Sequence, residues 1–216
     1  MMDYEILQPW SVPVMKTRLP PDVLQKMLKI TDEIIEESYC YEVKVAKDAI
    51  QAGEMKEQFL IDSVKLEQEK VLEYFLEMCK QYVLQAFCQS QPFDKEAILK
   101  EKWMTQITIM WINSQKDNEY FPLHAHCEAQ LSTVMYLKIP EYLSSNSPYT
   151  KPGALEFISN TTRNQIWGVP SLMIQPQVGD FFIFAIDQQH IAYPFQTQGG
   201  NGERRSVAFN ADFKAI

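Results

Sequence analysis

The chain holds three histidines, His124, His126 and His190, and they fall in two short segments. His124-Ala125-His126 sets two imidazoles at i and i+2, which an extended backbone turns to the same face. His190 opens a later apolar segment and is expected to meet the pair across a barrel, as the facing sheets of a jelly roll allow. Neutral imidazole is the commonest metal ligand and suits iron, zinc and copper. Two same-face ligands and a third from a distant strand leave octahedral positions open for exchangeable ligands. A closed zinc tetrahedron would need a fourth donor, and Cys127 is the candidate at hand. The plain alternative is that each histidine is a satisfied core or surface residue. A second chemical cue is Glu203-Arg204-Arg205-Ser206. In a strand, Arg204, Ser206, Ala208 and Asn210 share one face, and Arg205, Val207 and Phe209 share the other. A guanidinium turned inward needs an anion: a bound carboxylate gripped bidentately, or one of the chain's own acids.

The elements that would position these residues divide the chain into a helical front and a β-rich back. Pro20-Pro21-Asp22 reads as a helix start, and Leu24, Met27, Leu28, Thr31, Ile34 and Ile35 recur at helical spacing to about Glu37. Glu54 to Ile61 contains a short strand. A single long helix is expected over Asp62 to Cys88, with an apolar stripe through Val71, Leu72, Phe75, Met78, Cys79, Tyr82, Val83 and Phe87 wide enough to cover a sheet. Gln89 to Phe93 reads as a turn. Short apolar runs at period two follow: 103–113, 130–139, 153–158, 171–174, 181–186, 190–195 and 204–213. Turn chemistry at 144–152, Val178-Gly179-Asp180 and Gly199-Gly200-Asn201-Gly202 separates several of them. Successive strands without intervening helices specify a mainly β fold with N-terminal helices, a double-stranded β-helix or cupin-like jelly roll. The whole chain, 1–216, is expected to be a single domain, with 1–100 a mostly helical N-terminal support and 101–216 the double-stranded β-helix core.

Composition restricts the partners. The chain has 216 residues, 46% hydrophobic and 22% charged, as in ordinary globular domains. Its net charge of −8 argues against broad nucleic-acid binding. The longest apolar runs are strand-sized, so no membrane span is expected. The first ten residues lack the apolar core of a signal peptide, and the cytoplasm is the expected compartment. Cys40, Cys79, Cys88 and Cys127 show no C-x-x-C spacing and are read as free thiols.

The segment Asn118-Glu-Tyr-Phe-Pro-Leu-His124-Ala-His126, continuing through Leu131-Ser132-Thr-Val-Met-Tyr136-Leu-Lys-Ile-Pro140, resembles the N-x-x-H-x-H…L-S-x-V-x-Y-L-x-x-P stretch of bacterial and phage 2-oxoglutarate/Fe(II) oxygenases. Pro152-Gly-Ala-Leu-Glu-Phe157 is similar to that family's P-G-x-L-x-F strand, and Gly179-Asp-Phe-Phe-Ile-Phe184 to its G-D-x-x-x-F. His190-Ile-Ala-Tyr-Pro194, Arg204-Arg-Ser206-Val-Ala-Phe-Asn210 and an upstream Trp111-Ile-Asn113 complete the resemblance, which covers residues 103–213. It implies a non-haem Fe(II)/2-oxoglutarate-dependent dioxygenase, an oxidoreductase acting as a hydroxylase. Fe(II) and 2-oxoglutarate would be its cofactor and cosubstrate. O₂ and a protein side chain or small molecule would be its further reactants, and a host or phage-infected cytoplasm its setting. A homodimer is compatible with an acidic jelly roll.

Carried over by residue, the resemblance implies that His124 and His190 bind iron. Arg204, helped by Ser206, would hold the distal carboxylate of 2-oxoglutarate, with Tyr136 and Asn113 as further cosubstrate contacts. Most such oxygenases use two histidines and a carboxylate in an H-x-D/E arrangement, and this chain departs from that with His126. Three arrangements follow. His126 completes a three-histidine site, which is the favoured one; or His126-Cys127-Glu128 is the H-x-E pair with Glu128 as ligand and His124 behind it; or two histidines bind alone. Two rival functions remain: a cupin-like three-histidine metalloenzyme without 2-oxoglutarate, and a non-catalytic β-barrel binding or structural module. Tyr149 and Trp167 in Pro-rich loops are candidate substrate-stacking residues, 144–150 a candidate lid, and Asp187 a candidate partner orienting His190.

Overall fold

The computed structural model describes residues 4–7, 13–41, 55–90, 103–144, 151–159 and 170–215. In chain order the elements are β1 (Tyr4–Leu7), β2 (Val14–Arg18), α1 (Pro21–Tyr41), β3 (Gln58–Leu60), α2 (Ser63–Gln68), α3 (Leu72–Ser90), β4 (Trp103–Gln115), β5 (Phe121–His124), β6 (Leu131–Lys138), β7 (Leu155–Ile158), β8 (Ser171–Ile174), β9 (Asp180–Ala185), β10 (His190–Ala192) and β11 (Arg204–Ala215). They build a seven-stranded sheet, ordered β1-β2-β9-β6-β11-β4-β3, and a four-stranded sheet, ordered β5-β10-β7-β8. All pairings are antiparallel. This is the expected jelly roll, with the N-terminal helices in place.

Side-chain alternation sorts each central strand into two environments. Phe181 and Ile183 of β9, Met135 and Leu137 of β6, and Val207 and Phe209 of β11 join Met27, Ile30, Phe75, Met78, Cys79 and Tyr82 of α1 and α3 in one large core. Their neighbours Phe182, Phe184 and Tyr136 turn the other way and pack with Val14, Leu155 and Phe157 in a smaller core. The apolar stripes of α1 and α3 thus cover the outer face of the large sheet, and the inner face is left to line a cavity.

Three local expectations are corrected. The long helix over 62–88 is two helices. α2 begins at an Asp62 cap, whose carboxylate accepts the Val64 N–H. It ends where Lys70 takes a left-handed φ of 57°. There the N–H groups of Lys70 and Val71 close on the carbonyls of Glu67 and Leu66, and Val71 and Leu66 are both fully buried. That is a helix-ending motif built without glycine. Secondly, the front of the chain is more than helical support: β1, β2 and β3 pair into the large sheet through β9 and β4. Thirdly, α3 runs to Ser90, past the expected helix end at Cys88. The turn at 91–93, Tyr149, Trp167 and nearly all of the candidate lid lie outside the described residues.

Candidate metal centre and its cavity

Between the two sheets lies a cavity of about 780 Å³, lined by His124, His126, His190, Arg204, Ser206, Tyr136 and Asn113 among others. Every candidate metal- and cosubstrate-binding residue read from the sequence therefore borders one space. Glu128 also borders it.

The histidines meet differently from expectation. His190 does not reach across the barrel. It is the direct register partner of His124 on the adjacent strand of the small sheet. Their ring centroids lie 4.2 Å apart, with His126 at 5.2 Å from His124 and 5.3 Å from His190. One ring nitrogen from each falls within 4.8 Å of the others. His126 follows β5 in a loop fixed by its own N–H bond to the Ile186 carbonyl, 3.1 Å. The Trp111 ring packs 5.6 Å from it, which gives the W-x-N element a local reason.

Two carbonyls orient the rings. His124 Nδ1 lies 2.7 Å from the Pro122 oxygen and His190 Nδ1 2.9 Å from the Gln188 oxygen. A carbonyl only accepts, so each Nδ1 carries the proton and donates it, leaving the Nε2 lone pair free for a metal. The orienting group for His190 is thus Gln188, not Asp187. Burial disfavours the charged imidazolium at all three positions, and neighbouring histidines add to this for two of them. His126 is lowered to about 4 by burial and then by the charge of His124. His190 is held well below 6.5 by burial first, and His124 is lowered chiefly by burial. Three neutral imidazoles with free lone pairs are a donor set for a borderline transition metal such as Fe(II), and a poor one for Ca²⁺ or Mg²⁺.

Glu128 stands outside this cluster. Its φ of 63° breaks the extended alternation that an H-x-E pair would need. Cys127 is an exposed free thiol and is likewise absent from the group.

Further along the cavity, Ser206 of β11 stands in register between Asn113 of β4 and Tyr136 of β6, so three side chains form a row. Asn113 Oδ1 accepts from Gln58 Nε2 at 2.7 Å. Arg204 comes next and is 2% exposed. Its guanidinium lies 5.7 Å from the Tyr136 ring centroid and 5.8 Å from that of Phe195. It donates to the Gly153 carbonyl and to Gln115 Oε1, and its Nε has no partner. Among the described residues no carboxylate pairs with it. A buried guanidinium with an unsatisfied donor fits a bound carboxylate.

Two residues of this nest were not read as such from the sequence. Gly153, with φ of 67°, supplies the carbonyl, and a Cβ there would sit 2.5 Å from the Tyr142 ring. That explains the P-G motif. Gln115 is the register partner of Arg204. Only the pairing of β4 with β11 brings it there, and no local signal marks it.

The cavity between the sheets of this double-stranded β-helix thus holds a cluster of three histidines and a buried arginine that no carboxylate among the described residues pairs with. Residues 109–210, just under half of the chain, match the family described as "Putative 2OG-Fe(II) oxygenase", whose members are oxidoreductases that use Fe(II) and 2-oxoglutarate. No curated protein matches the sequence. Solved structures share the fold. A Pseudomonas putida prolyl-4-hydroxylase is 17% identical with a TM-score of 0.51, covering 92% of each chain. AviO1 from Streptomyces viridochromogenes is 11% identical with a TM-score of 0.55, covering 92% of this chain and 89% of its own. A Trichoplax adhaerens prolyl hydroxylase, solved with a hypoxia inducible factor peptide fragment, is 10% identical with a TM-score of 0.54, covering 92% and 83%. At these identities the likeness is one of fold. Among the described residues, no helix is long and apolar enough to cross a membrane.

Proposed function

We propose that the protein is a hydroxylase of a protein side chain or small molecule in which His124, His126 and His190 hold Fe(II) and Arg204 holds the distal carboxylate of 2-oxoglutarate. The observation that carries this reading is the pairing, in one cavity, of three clustered imidazoles, two of them with Nε2 freed by a carbonyl at Nδ1, with a buried guanidinium that no acid among the described residues neutralises. When bound, the iron and its cosubstrate supply the oxidising chemistry: 2-oxoglutarate and O₂ yield succinate and CO₂, and one oxygen atom enters a substrate C–H bond.

The chain's own residues bind, orient and exclude. Pro122 and Gln188 carbonyls fix the ring tautomers, and the depressed imidazole pKa values keep the ligands neutral and ready to bind at physiological pH. Ser206 lines the cavity beside Arg204 and offers its hydroxyl to a bound carboxylate, and Asn113 and Tyr136 flank it on the neighbouring strands. Trp111, Leu155, Phe121 and Ala208 add apolar walls to the same cavity.

The test is anaerobic titration of the protein with Fe(II) and 2-oxoglutarate, followed by the visible metal-to-ligand charge-transfer band, on wild type, His190→Ala and Arg204→Ala. The expected result is a band that His190→Ala abolishes and that Arg204→Ala shows only at much higher 2-oxoglutarate. Iron binding without a band would favour a three-histidine metalloenzyme independent of 2-oxoglutarate, a reading that His126 in place of a carboxylate keeps in view. Neither iron nor band would leave a binding module.

A further inference from the structure

We propose that Gln115 is a positioning residue for the cosubstrate, a neutral clamp that fixes Arg204 in place without spending its charge. The inference rests on the reading that Arg204 receives the distal carboxylate of 2-oxoglutarate.

Gln115 Oε1 accepts from Arg204 Nη2, and its Nε2 donates to the carbonyls of Glu119 and Tyr193. Both partners of the Nε2 are acceptors, so the amide is oriented with its oxygen toward the guanidinium. A carboxylate at this position has no proton for those two carbonyls. The other held group of Arg204, Nη1, donates to a second neutral oxygen, that of Gly153. The guanidinium is thus anchored at two points by uncharged acceptors, and its Nε remains unpartnered.

Acids stand close by and are turned to other work. Glu119, whose carbonyl grips Gln115, uses its carboxylate to accept the Lys116 N–H at 2.9 Å. Glu156 accepts from the hydroxyl of Tyr193, the other residue gripping Gln115, at 2.6 Å. An internal salt bridge would satisfy Arg204 at least as well in the empty protein. It would also compete with an incoming carboxylate, since a guanidinium already neutralised attracts an anion far less. A neutral clamp provides geometry and leaves the charge for the ligand.

This makes an unusual prediction of sign. If Gln115 served the fold alone, Gln115→Glu would be the mild change, because it converts a hydrogen bond to arginine into a charge-assisted one. If it serves the cosubstrate, Gln115→Glu is more harmful than the bond-deleting Gln115→Met. The experiment is anaerobic calorimetry on the full Fe(II)-loaded chain, titrated with 2-oxoglutarate and with 2-oxobutyrate, which keeps the 2-oxo acid end and lacks the distal carboxylate. Gln115→Glu should raise the Kd for 2-oxoglutarate at least about tenfold, some 1.4 kcal/mol. Gln115→Met should raise it about threefold, some 0.7 kcal/mol. Neither should change the Kd for 2-oxobutyrate by as much as about twofold, a difference of 0.4 kcal/mol. The proposal is overturned if Gln115→Glu binds 2-oxoglutarate like wild type, or if both 2-oxo acids weaken in parallel. Should Gln115→Glu fail to fold, Gln115→Met and Gln115→Asn decide the matter by the same ratio between the two acids. Arg204→Met is the control: if it leaves 2-oxoglutarate affinity intact, the cosubstrate reading itself falls, which is a distinct outcome from failure of the clamp.

Discussion

Arg204 and Arg205 are consecutive residues of one strand, both almost fully buried, and their surroundings are opposite. Arg205 faces the helices. It donates to both oxygens of Glu203, at 2.7 and 3.0 Å, to Asp32 at 2.5 Å and to the Thr31 hydroxyl at 3.1 Å. Burial alone would raise the Glu203 carboxyl, and the bonds and charge of Arg205 outweigh it, holding Glu203 below its ordinary range. Asp32 is lowered in the same way, with Lys138 sharing in it. Arg204 faces the cavity and finds only neutral oxygens. One arginine is saturated by acids and ties α1 to the sheet. Its neighbour is left electrostatically incomplete. Strand alternation alone sends the two guanidinium groups to opposite sides, and the placement of acids decides which one holds the fold and which one awaits a ligand.

The largest expected effect breaks the cavity side. Arg204→Met should weaken 2-oxoglutarate binding about 100-fold, some 2.7 kcal/mol. It should leave thermal stability unchanged or slightly raised, because a buried charge without a partner is removed and an apolar side chain fills the space. A drop in Tm as large as that of Arg205→Met would collapse the distinction. For Arg205→Met the expectation is reversed. Glu203 and Asp32 lose their partner, at a cost of about 2 kcal/mol, which for a domain of this size lowers Tm by about 4–8 °C. Calorimetry below the transition should find 2-oxoglutarate affinity unchanged.

Acid should separate the two faces by pH. On the cavity side His126 titrates near 4 in the fold against an ordinary 6.5. Between those values the unfolded chain binds a proton that the folded chain refuses, so stability of the metal-free protein falls as pH drops from 6.5 toward 4. On the helix side Glu203 lies below its ordinary 4.5, so the stability it contributes is present above 4.5 and is lost only as pH falls further. Urea midpoints measured across pH should show the first loss in the metal-free protein. Saturating Fe(II) under anaerobic conditions should raise the midpoints most at the upper end of that window and least at the lower, since protons compete with the metal. A flat profile from 6.5 to 4.5 would contradict buried neutral histidines.

Much of this contrast was legible in the sequence. The i, i+2 spacing of His124 and His126, and the alternation that sets Arg204 with Ser206 and against Arg205, follow from strand geometry alone. What stayed hidden depends on register between distant segments. His190 beside His124, Gln115 beside Arg204, and Ser206 between Asn113 and Tyr136 are all consequences of which strand pairs with which. The break between α2 and α3 escaped because Lys70 adopts a glycine-like φ that no residue type signals, with burial of Val71 against Leu66 holding it there. Strands β1 and β2 escaped for a related reason: each is short, and β1 is an edge that acquires its place only by pairing with β2.

The smallest expected effect tests how far the helix side depends on each acid. Asp32 is about half exposed, whereas Glu203 is largely covered and grips Arg205 through both oxygens. An exposed partner contributes little, so Asp32→Asn should cost about 0.5 kcal/mol. The slope of stability between pH 6.5 and 4.5 should stay as in wild type, since it belongs to the cavity histidines. Only the loss below 4.5 should shrink, because one of the depressed carboxylates is gone. If Asp32→Asn instead altered the upper slope, or shifted the Kd for 2-oxoglutarate, the two faces of β11 would be coupled through the strand, and the division of labour between Arg204 and Arg205 would have to be redrawn as one charge network spanning the sheet.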